Sequence, residues 1–351
     1  MDHKMTGNLD VPTNIEKALE ERGFHVRNNK LGKGAYGEVL KAKCRDDGKL
    51  YAIKILLLSN GESTKYHKRE LELLTKLELS ERNVIKYFKS WIMQDDDVQR
   101  LCIQMELCWV NLEKFIYEND MGGAEIIKSE GPPRFYQQVF PQILNGLSVI
   151  HSMYWVHRDI HLGNILIVNP NPQRIDDIHV KIADFGLARY IGMEFEKSAR
   201  LTVVPTLEKL SPGVGNELFR APELSTNKYD FKVDVYSSGI VLYLLDCYLP
   251  NKNQLRDEIL ALREGKRNAV HLYHKDDQRL INLIEQLLEK ESTRRPTAAE
   301  ASQYMQRETD HGSETPSEPT TKKFLAVKKR GDDTLYRCSS SDTLSGMQDA
   351  I

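Results

Sequence analysis

Little in this chain is concentrated. Its 351 residues carry 49 basic and 51 acidic side chains, a net charge of −2. No surplus of one sign points to nucleic acid or to an acidic membrane surface. Five cysteines (Cys44, Cys102, Cys108, Cys247, Cys338) form no C-x-x-C pair and no even framework. That argues against a disulfide scaffold and leaves free thiols in a reducing compartment. No window reaches the ~18 consecutive apolar residues of a membrane span. The longest apolar cluster, "SSGIVLYLLDCYLP", is short and interrupted by Asp246, so it reads as a buried helix. The first residues lack the apolar stretch of a signal peptide, and no internal repeat is visible. The expected location is cytoplasmic, with the nucleus open to it.

What is there is an ordinary globular composition, 40% hydrophobic and 28% charged. The length predicts two packed units plus tails. From Phe24 to Leu58 the text reads as strands, with a glycine-rich turn in "LGKGAYGEVL" and a third run in "LYAIKILLL". Residues 62–79 switch to helical spacing, with leucines at 71, 74 and 77. "NVIKYFKSWIM" and "RLCIQMELC" are two further strands around the turn "QDDD". Beyond Glu106 the pattern is mostly helical: a short segment in "NLEKFIYEN", a long one in "PRFYQQVFPQILNGLSVIHSMY" despite Pro141, then 232–248, 253–264 and 277–290. "ILIV" and "HVKIADFG" are short strands. The Ser/Thr-rich text after residue 306 predicts a disordered tail. The predicted class is α+β in two lobes: an extension over 1–24, a β-rich N-lobe with one main helix over 25–106, a mostly helical C-lobe over 107–306, and the tail over 307–351.

The chemistry lies in short motifs. "GKGAYGEV" (32–39) is G-x-G-x-x-G-x-V, whose glycines let backbone amides approach phosphate oxygens. A dinucleotide fold uses a similar string, but there the glycines open a helix, and here strand-like text follows. Lys54 ends "YAIK" and can reach α- and β-phosphates; taken alone, an exposed strand lysine is the better reading. Sixteen residues on, Glu70 in "KRELELL" is its candidate ion partner, with Glu72 as rival. In "HRDIHLGN" (157–164), Asp159 is the candidate that accepts or orients a hydroxyl proton, and Asn164 offers an amide oxygen to Mg²⁺. Asp184, in "DFG", is the main candidate Mg²⁺ ligand; few, hard oxygen ligands suit that ion. "APE" (221–223), "VDVYSSG" (233–239) and "RRPT" (294–297) follow. In a fold that carries this set of motifs, Glu223 and Arg295 would form a bracing ion pair, and Asp234 would hold the backbone of the 157–164 loop.

Together, in this order, the motifs resemble those of the eukaryotic protein kinases over roughly residues 25–305. The resemblance implies a two-lobed fold with ATP and Mg²⁺ in the cleft. It implies a nucleotide site of Leu31, Gly32, Gly34, Gly37, Val39, Ala52, Lys54 and Leu166, with Met105 as gatekeeper and a hinge at Glu106–Cys108. "YFKSWIM", "LCIQMELCWVNLEKFI", "VKIADFGLAR" and "LREGKRN" are further similar to the kinases of translation initiation factor 2α, the group that includes the double-stranded-RNA-activated and endoplasmic-reticulum-stress enzymes. This narrower resemblance implies a protein substrate, the initiation factor, and a homodimer through the N-lobe. No sensor module or nucleic-acid-binding domain of that group is legible.

Three residues depart from the pattern. His161 stands where Ser/Thr kinases carry a lysine for the γ-phosphate, and Asn216 where they carry a threonine that meets it. The initiation-factor kinases have a threonine three residues before Arg263, and Leu260 stands there. Losing one charged donor costs ~2.7–4 kcal/mol by analogy with oxyanion-hole deletions, a rate factor of ~10²–10³, so the expectation is an active enzyme of modest turnover. In such kinases Arg158 receives a phosphate on the activation segment. Ser211 is the first candidate for it and Thr206 the second, with Thr202 and Ser198 nearby.

Overall fold

A computed structural model describes residues 14–26, 30–34, 37–58, 71, 73, 75, 83–95, 98–118, 121–192, 214–226, 228–247, 252–266 and 272–310. Its first unit is an antiparallel sheet of six strands: β1 (Phe24–His25), β2 (Lys30–Gly34), β3 (Gly37–Cys44), β4 (Leu50–Leu58), β5 (Tyr87–Asp95) and β6 (Val98–Glu106). The order is β1-β3-β4-β6-β5, with β2 paired to β3. Strand β4 reads as an apolar run, not an alternation, because both faces of the sheet are covered. Ile53 and Ile55 pack with Trp91, Met93 and Cys102 under helix α1 (Asn14–Glu21), while Leu56 joins Leu73, Leu101 and Ile103 in the main core. Leu73 is fully buried and lies in the helical stretch expected there.

Helix α1 lies in the stretch expected to be only an extension. Its Leu19 is fully buried, with Ile15 and Ala18 against the same cluster. Phe24 and Trp91 stack beneath it at 5.6 Å, and the Arg22 guanidinium covers Trp91 at 5.0 Å. The i, i+3, i+4 spacing of those three residues was the signal for it.

The C-lobe is built on α4 (Pro132–Ser152) and α5 (Lys232–Asp246), preceded by α2 (Leu112–Tyr117) and α3 (Gly123–Glu130). Helix α4 runs unbroken through Pro141. Helix α5 is buried from Val233 to Asp246, as expected for a helix with apolar residues on all sides. Helices α6 (Leu255–Arg263) and α7 (Gln278–Leu287) fall where the spacing places them. Helix α8 (Ala298–Asp310) was not foreseen and carries regular structure four residues past 306, into the expected tail. A capping box starts it: Thr297 Oγ1 accepts from the Glu300 amide at 3.1 Å, and Glu300 Oε2 accepts from the Thr297 amide at 2.7 Å.

Five short strands position the chemistry. β8 (Trp155–Val156) pairs with β11 (Arg189–Tyr190), and β9 (Ile165–Ile167) pairs with β10 (Val180–Ile182) and with β7 (Val110–Asn111). Residues 157–164 run from β8 to β9, and residues 183–188 run from β10 to β11. The two pairings therefore lash these loops side by side.

Candidate active site

On the N-lobe side, Lys54 sits in mid-β4, opposite Val39 of β3 and Ile103 of β6. It is only 7% exposed, and its Nζ donates to Asp184 Oδ1 at 2.9 Å. Glu70, its expected partner, lies outside the described residues, as does Glu72. Gly37 is required by packing: a Cβ there would lie 2.1 Å from the Ile55 carbonyl oxygen. Gly32 meets no such obstacle.

The 157–164 loop is pinned from below by a buried carboxylate. Asp234 accepts from the His157 amide at 2.8 Å and the Arg158 amide at 2.7 Å, and meets His151 Nε2 at 2.9 Å. Burial would raise the Asp234 carboxyl, but His151 and the loop's donors outweigh it and hold it below the usual carboxylate range. These bonds keep Arg158 at φ 68°, a conformation that a non-glycine residue adopts only under constraint. Asp184 is likewise left-handed, at φ 64°. His157 is fully buried against Phe185, ring centroids 5.0 Å apart, and burial pushes its imidazole pKa down despite the nearby carboxylates.

Asp159 is held on both oxygens. Oδ1 accepts the Asn216 amide at 2.8 Å; Oδ2 accepts Asn164 Nδ2 at 3.1 Å and lies 3.7 Å from His161 Nε2. Burial alone would raise its carboxyl, and His161 together with the Asn216 amide brings it below the ordinary value instead. It is a fixed carboxylate with lone pairs to spare. The expected His161–Asn216 pair meets only through Asp159. The Asn216 side chain turns away, its Oδ1 accepting from the Leu218 amide at 3.1 Å.

The lobes enclose a cleft of about 610 Å³, whose lining includes Leu31, Gly32, Val39, Ala52, Lys54, Met105, Glu106, Cys108, Asn164, Leu166 and Asp184. Of the residues expected around the nucleotide, Gly34 and Gly37 are not among the lining. The volume suits a small-molecule ligand, and the lining joins apolar walls to one buried cation, the arrangement a purine with a polyphosphate needs. The Glu106 carboxylate is occupied elsewhere, paired to Lys181 at 2.6 Å and accepting from the Lys86 amide at 2.5 Å. Burial pushes the Cys108 thiol up to about 12, which keeps it protonated and unreactive.

The donor set also fits a hard divalent cation. Asn164 spends its amide protons on the Asp159 carbonyl at 2.9 Å and on the Asp159 carboxylate, which leaves its Oδ1 for a metal. Asp184 keeps 43% of its side chain open on the cleft side. Burial on its other side would raise its carboxyl, and Lys54 more than reverses that. A model of the protein kinase domain matches residues 25–305. The chain belongs to the protein kinase family. Among its relatives are the membrane-associated tyrosine- and threonine-specific cdc2-inhibitory kinase of Drosophila melanogaster (30% identical, over 77% of this chain and 44% of that protein) and the interferon-induced, double-stranded RNA-activated protein kinase of Rattus norvegicus (28%, over 77% and 49%). Serine/threonine-protein kinase 1 of Arabidopsis thaliana is 31% identical over 78% of this chain and 29% of its own. The chain thus spans less than half the length of each.

Lys54, Asn164 and Asp184 line one cleft; Asp159 is joined to them through Asn164 and has His161 beside it. Ser198, Thr202, Thr206 and Ser211 lie outside the described residues. Glu223 and Arg295 form a bidentate pair, with Arg295 Nη2 donating to Glu223 Oε2 at 2.9 Å and Nη1 to Oε1. Several contributors escaped sequence reasoning. Gly215 (φ +85°) brings its backbone against the loop, where a Cβ would lie 2.2 Å from the Arg158 carbonyl oxygen. His151 and Tyr229 act through neighbours distant in sequence, so no local motif marks them. Arg158 is 3% exposed; its Nε donates to the Leu187 carbonyl at 2.7 Å and its Nη1 to Tyr229 at 2.8 Å. Its buried Nη2 finds no partner among the described residues. No helix among the described residues is long and apolar enough to cross a membrane.

Proposed function

We propose that this kinase transfers the γ-phosphoryl group of ATP, with Mg²⁺, to a serine or threonine hydroxyl of a protein. The observation that carries the reading is the Asp159 carboxylate, clamped by Asn164 and the Asn216 amide beside the Lys54–Asp184 pair. Asp159 receives or orients the hydroxyl proton, and Lys54 steadies the phosphates. Asn164 and Asp184 would hold Mg²⁺, which when bound neutralises phosphate charge. The family segments quoted above, and a double-stranded-RNA-activated relative, support translation initiation factor 2α as the substrate, in a cytoplasmic stress response, with an N-lobe homodimer. The test is phosphorylation of purified initiation factor 2α beside a generic substrate, with the target serine changed to alanine as control. Transfer to the generic protein alone would end the substrate assignment, and no transfer to either would end the kinase assignment.

A relative described as tyrosine- and threonine-specific favours a second reading of the hydroxyl class. Phosphoamino-acid analysis of the product separates the two. The Arg158 Nη2, which has no partner among the described residues, supports a phosphorylated activation segment, with Ser211 first and Thr206 second. Mass spectrometry of active enzyme should find phosphate between residues 198 and 211, and fully active enzyme without any there refutes the switch.

A further inference from the structure

His161 is more than a lysine exchanged for a weaker donor. It is the N-cap of the short 3₁₀ turn Leu162–Asn164, and its Nδ1 accepts from the Gly163 amide at 3.0 Å. An accepting Nδ1 uses its lone pair, so the ring proton resides on Nε2. Nε2 is the atom that faces Asp159 Oδ2, at 3.7 Å. The ring is held from the side by Phe219, centroids 5.7 Å apart, and is 18% exposed. Lysine, with three donors and no acceptor, can make no such cap.

Gly163 completes the arrangement. It has no left-handed φ, so its backbone would accept any residue. What excludes a side chain is the imidazole: a Cβ at Gly163 would lie 2.8 Å from His161 Cε1 and 2.9 Å from Nδ1. The ring cannot retreat cheaply, with Asp159 on one side and Phe219 on the other. The remaining neighbour, Glu113 Oε2, would stand at 3.4 Å, and its carboxylate is paired to Lys252 at 2.6 Å.

We infer that His161 and Gly163 form one positioning unit, in which the glycine admits an Nε2–H imidazole that orients the Asp159 carboxylate. His161 is a positioning residue in this account, and the inference rests on the reading of Asp159 as the group that meets the substrate hydroxyl. It predicts that the two positions are coupled. Gly163→Ala in the native background should lower kcat at least tenfold and leave the KM for ATP within twofold. In a His161→Lys background the same change should be nearly neutral, because a lysine at 161 places no ring against the new methyl.

The experiment is the four-membered cycle of native enzyme, G163A, H161K and the double variant, with thermal melting to confirm that each folds. His161→Asn is added because its short amide keeps the cap acceptor but cannot reach Asp159. It should melt like the native enzyme and still lose kcat. An equal loss from G163A in both backgrounds, or none in the native one, overturns the inference. ¹⁵N-histidine NMR provides a readout independent of turnover, with His161 assigned by its absence in the asparagine variant. The native ring should report the Nε2–H tautomer, and G163A should perturb it. If the native enzyme transfers no phosphate, the kinase reading falls, and the His161–Gly163 unit then stands or falls on this spectrum. An Nδ1–H tautomer, or a signal indifferent to G163A, overturns it.

Discussion

Asp159 and its neighbours show how a charge is kept where burial opposes it. Two donors from different segments, the Asn164 side chain and the Asn216 amide, meet the carboxylate. Asp159→Asn keeps the shape and removes the charge. Phosphoryl transfer should fall ~10²–10⁴-fold, the range for loss of general acid–base help, with ATP affinity unchanged by calorimetry. Retained turnover would show that the proton goes elsewhere. His157 carries a pH signature of a different kind. The unfolded chain protonates it near the ordinary value of ~6.5, whereas the folded chain does so only at lower pH. Between those values the unfolded state binds the extra proton, so stability falls as pH drops below about 6.5. Asp159, Asp184 and Asp234 are held low in the fold, so their contribution is lost only as pH falls below the carboxylate range of ~4. Thermal melts should therefore decline in two acid limbs. His157→Phe, which retains the packing on Phe185, should flatten the upper one, and a native profile level from pH 7.5 to 5.5 would count against it. At this scale the sequence was readable where the chemistry is local, as in "HRD" and "DFG". It was silent on Gly215 and His151, whose reasons lie in chain segments far along the sequence.

Among elements, the ties between the substrate-side loop and the helices below it carry the argument. Arg263, the last residue of α6, donates through Nη1 to the Leu218 carbonyl at 3.0 Å and the Arg220 carbonyl at 2.5 Å. Its guanidinium also lies over Tyr236 of α5, at 5.7 Å. Leu218 and Arg220 flank Phe219, the ring against His161, so α6 reaches the catalytic loop through this arginine. Arg263→Gln should raise the KM for a protein substrate several-fold and change the KM for ATP little. Equal changes in both would place the arginine in general stability alone. Arg295 is the contrasting case. Its guanidinium is fully buried, paired to Glu223 and stacked over Tyr236 at 4.9 Å. Removing it leaves the half-buried Glu223 carboxylate without its partner, and Arg295→Ala should cost about 3–5 kcal/mol of folding stability, measured by denaturant titration. Most elements were legible from periodicity, because amphipathic helices and apolar strands announce their buried faces. Helices α1, α3 and α8 were not expected, although Ile15, Ala18 and Leu19 carry the helical spacing in α1; α1 and α3 have only eight residues each, and their stability comes from tertiary contacts that propensity does not record. Pro141 misleads in the opposite sense, since packing of α4 against the core outweighs one lost backbone bond.

Over the whole molecule, the cleft joins parts that the chain keeps far apart. Lys54 and Asp184 are separated by 130 positions and meet at 2.9 Å. The motifs assigned both residues to the nucleotide and metal site, but they gave Lys54 the partner Glu70 and did not foretell its contact with Asp184 or the way Asn164 is turned. A ligand that bridges both sides binds the folded state only, and should raise stability by RT ln(1 + [L]/Kd), about 2.7 kcal/mol at a hundredfold excess over Kd. For a domain of this size, with about 2.1 cal/mol/K of unfolding entropy per residue, that corresponds to a rise of about 5 °C in Tm. ATP alone engages the apolar walls and Lys54 and should give part of the rise. Mg²⁺ should add the remainder, because it gives the Asp184 and Asn164 oxygens a charge to meet. Asp184→Asn leaves the walls intact and removes that charge, so its melting curve should rise with ATP and be indifferent to Mg²⁺. Asp159→Asn should show the full native rise if, as proposed, Asp159 serves the hydroxyl and not the nucleotide. Two of these curves decide the matter. An Mg²⁺ increment that survives Asp184→Asn places the metal elsewhere, and one that disappears with Asp159→Asn makes Asp159 part of the nucleotide site. A native sequence of partial rise, full rise and turnover would assign ATP to the cleft, metal to Asn164 and Asp184, and chemistry to Asp159.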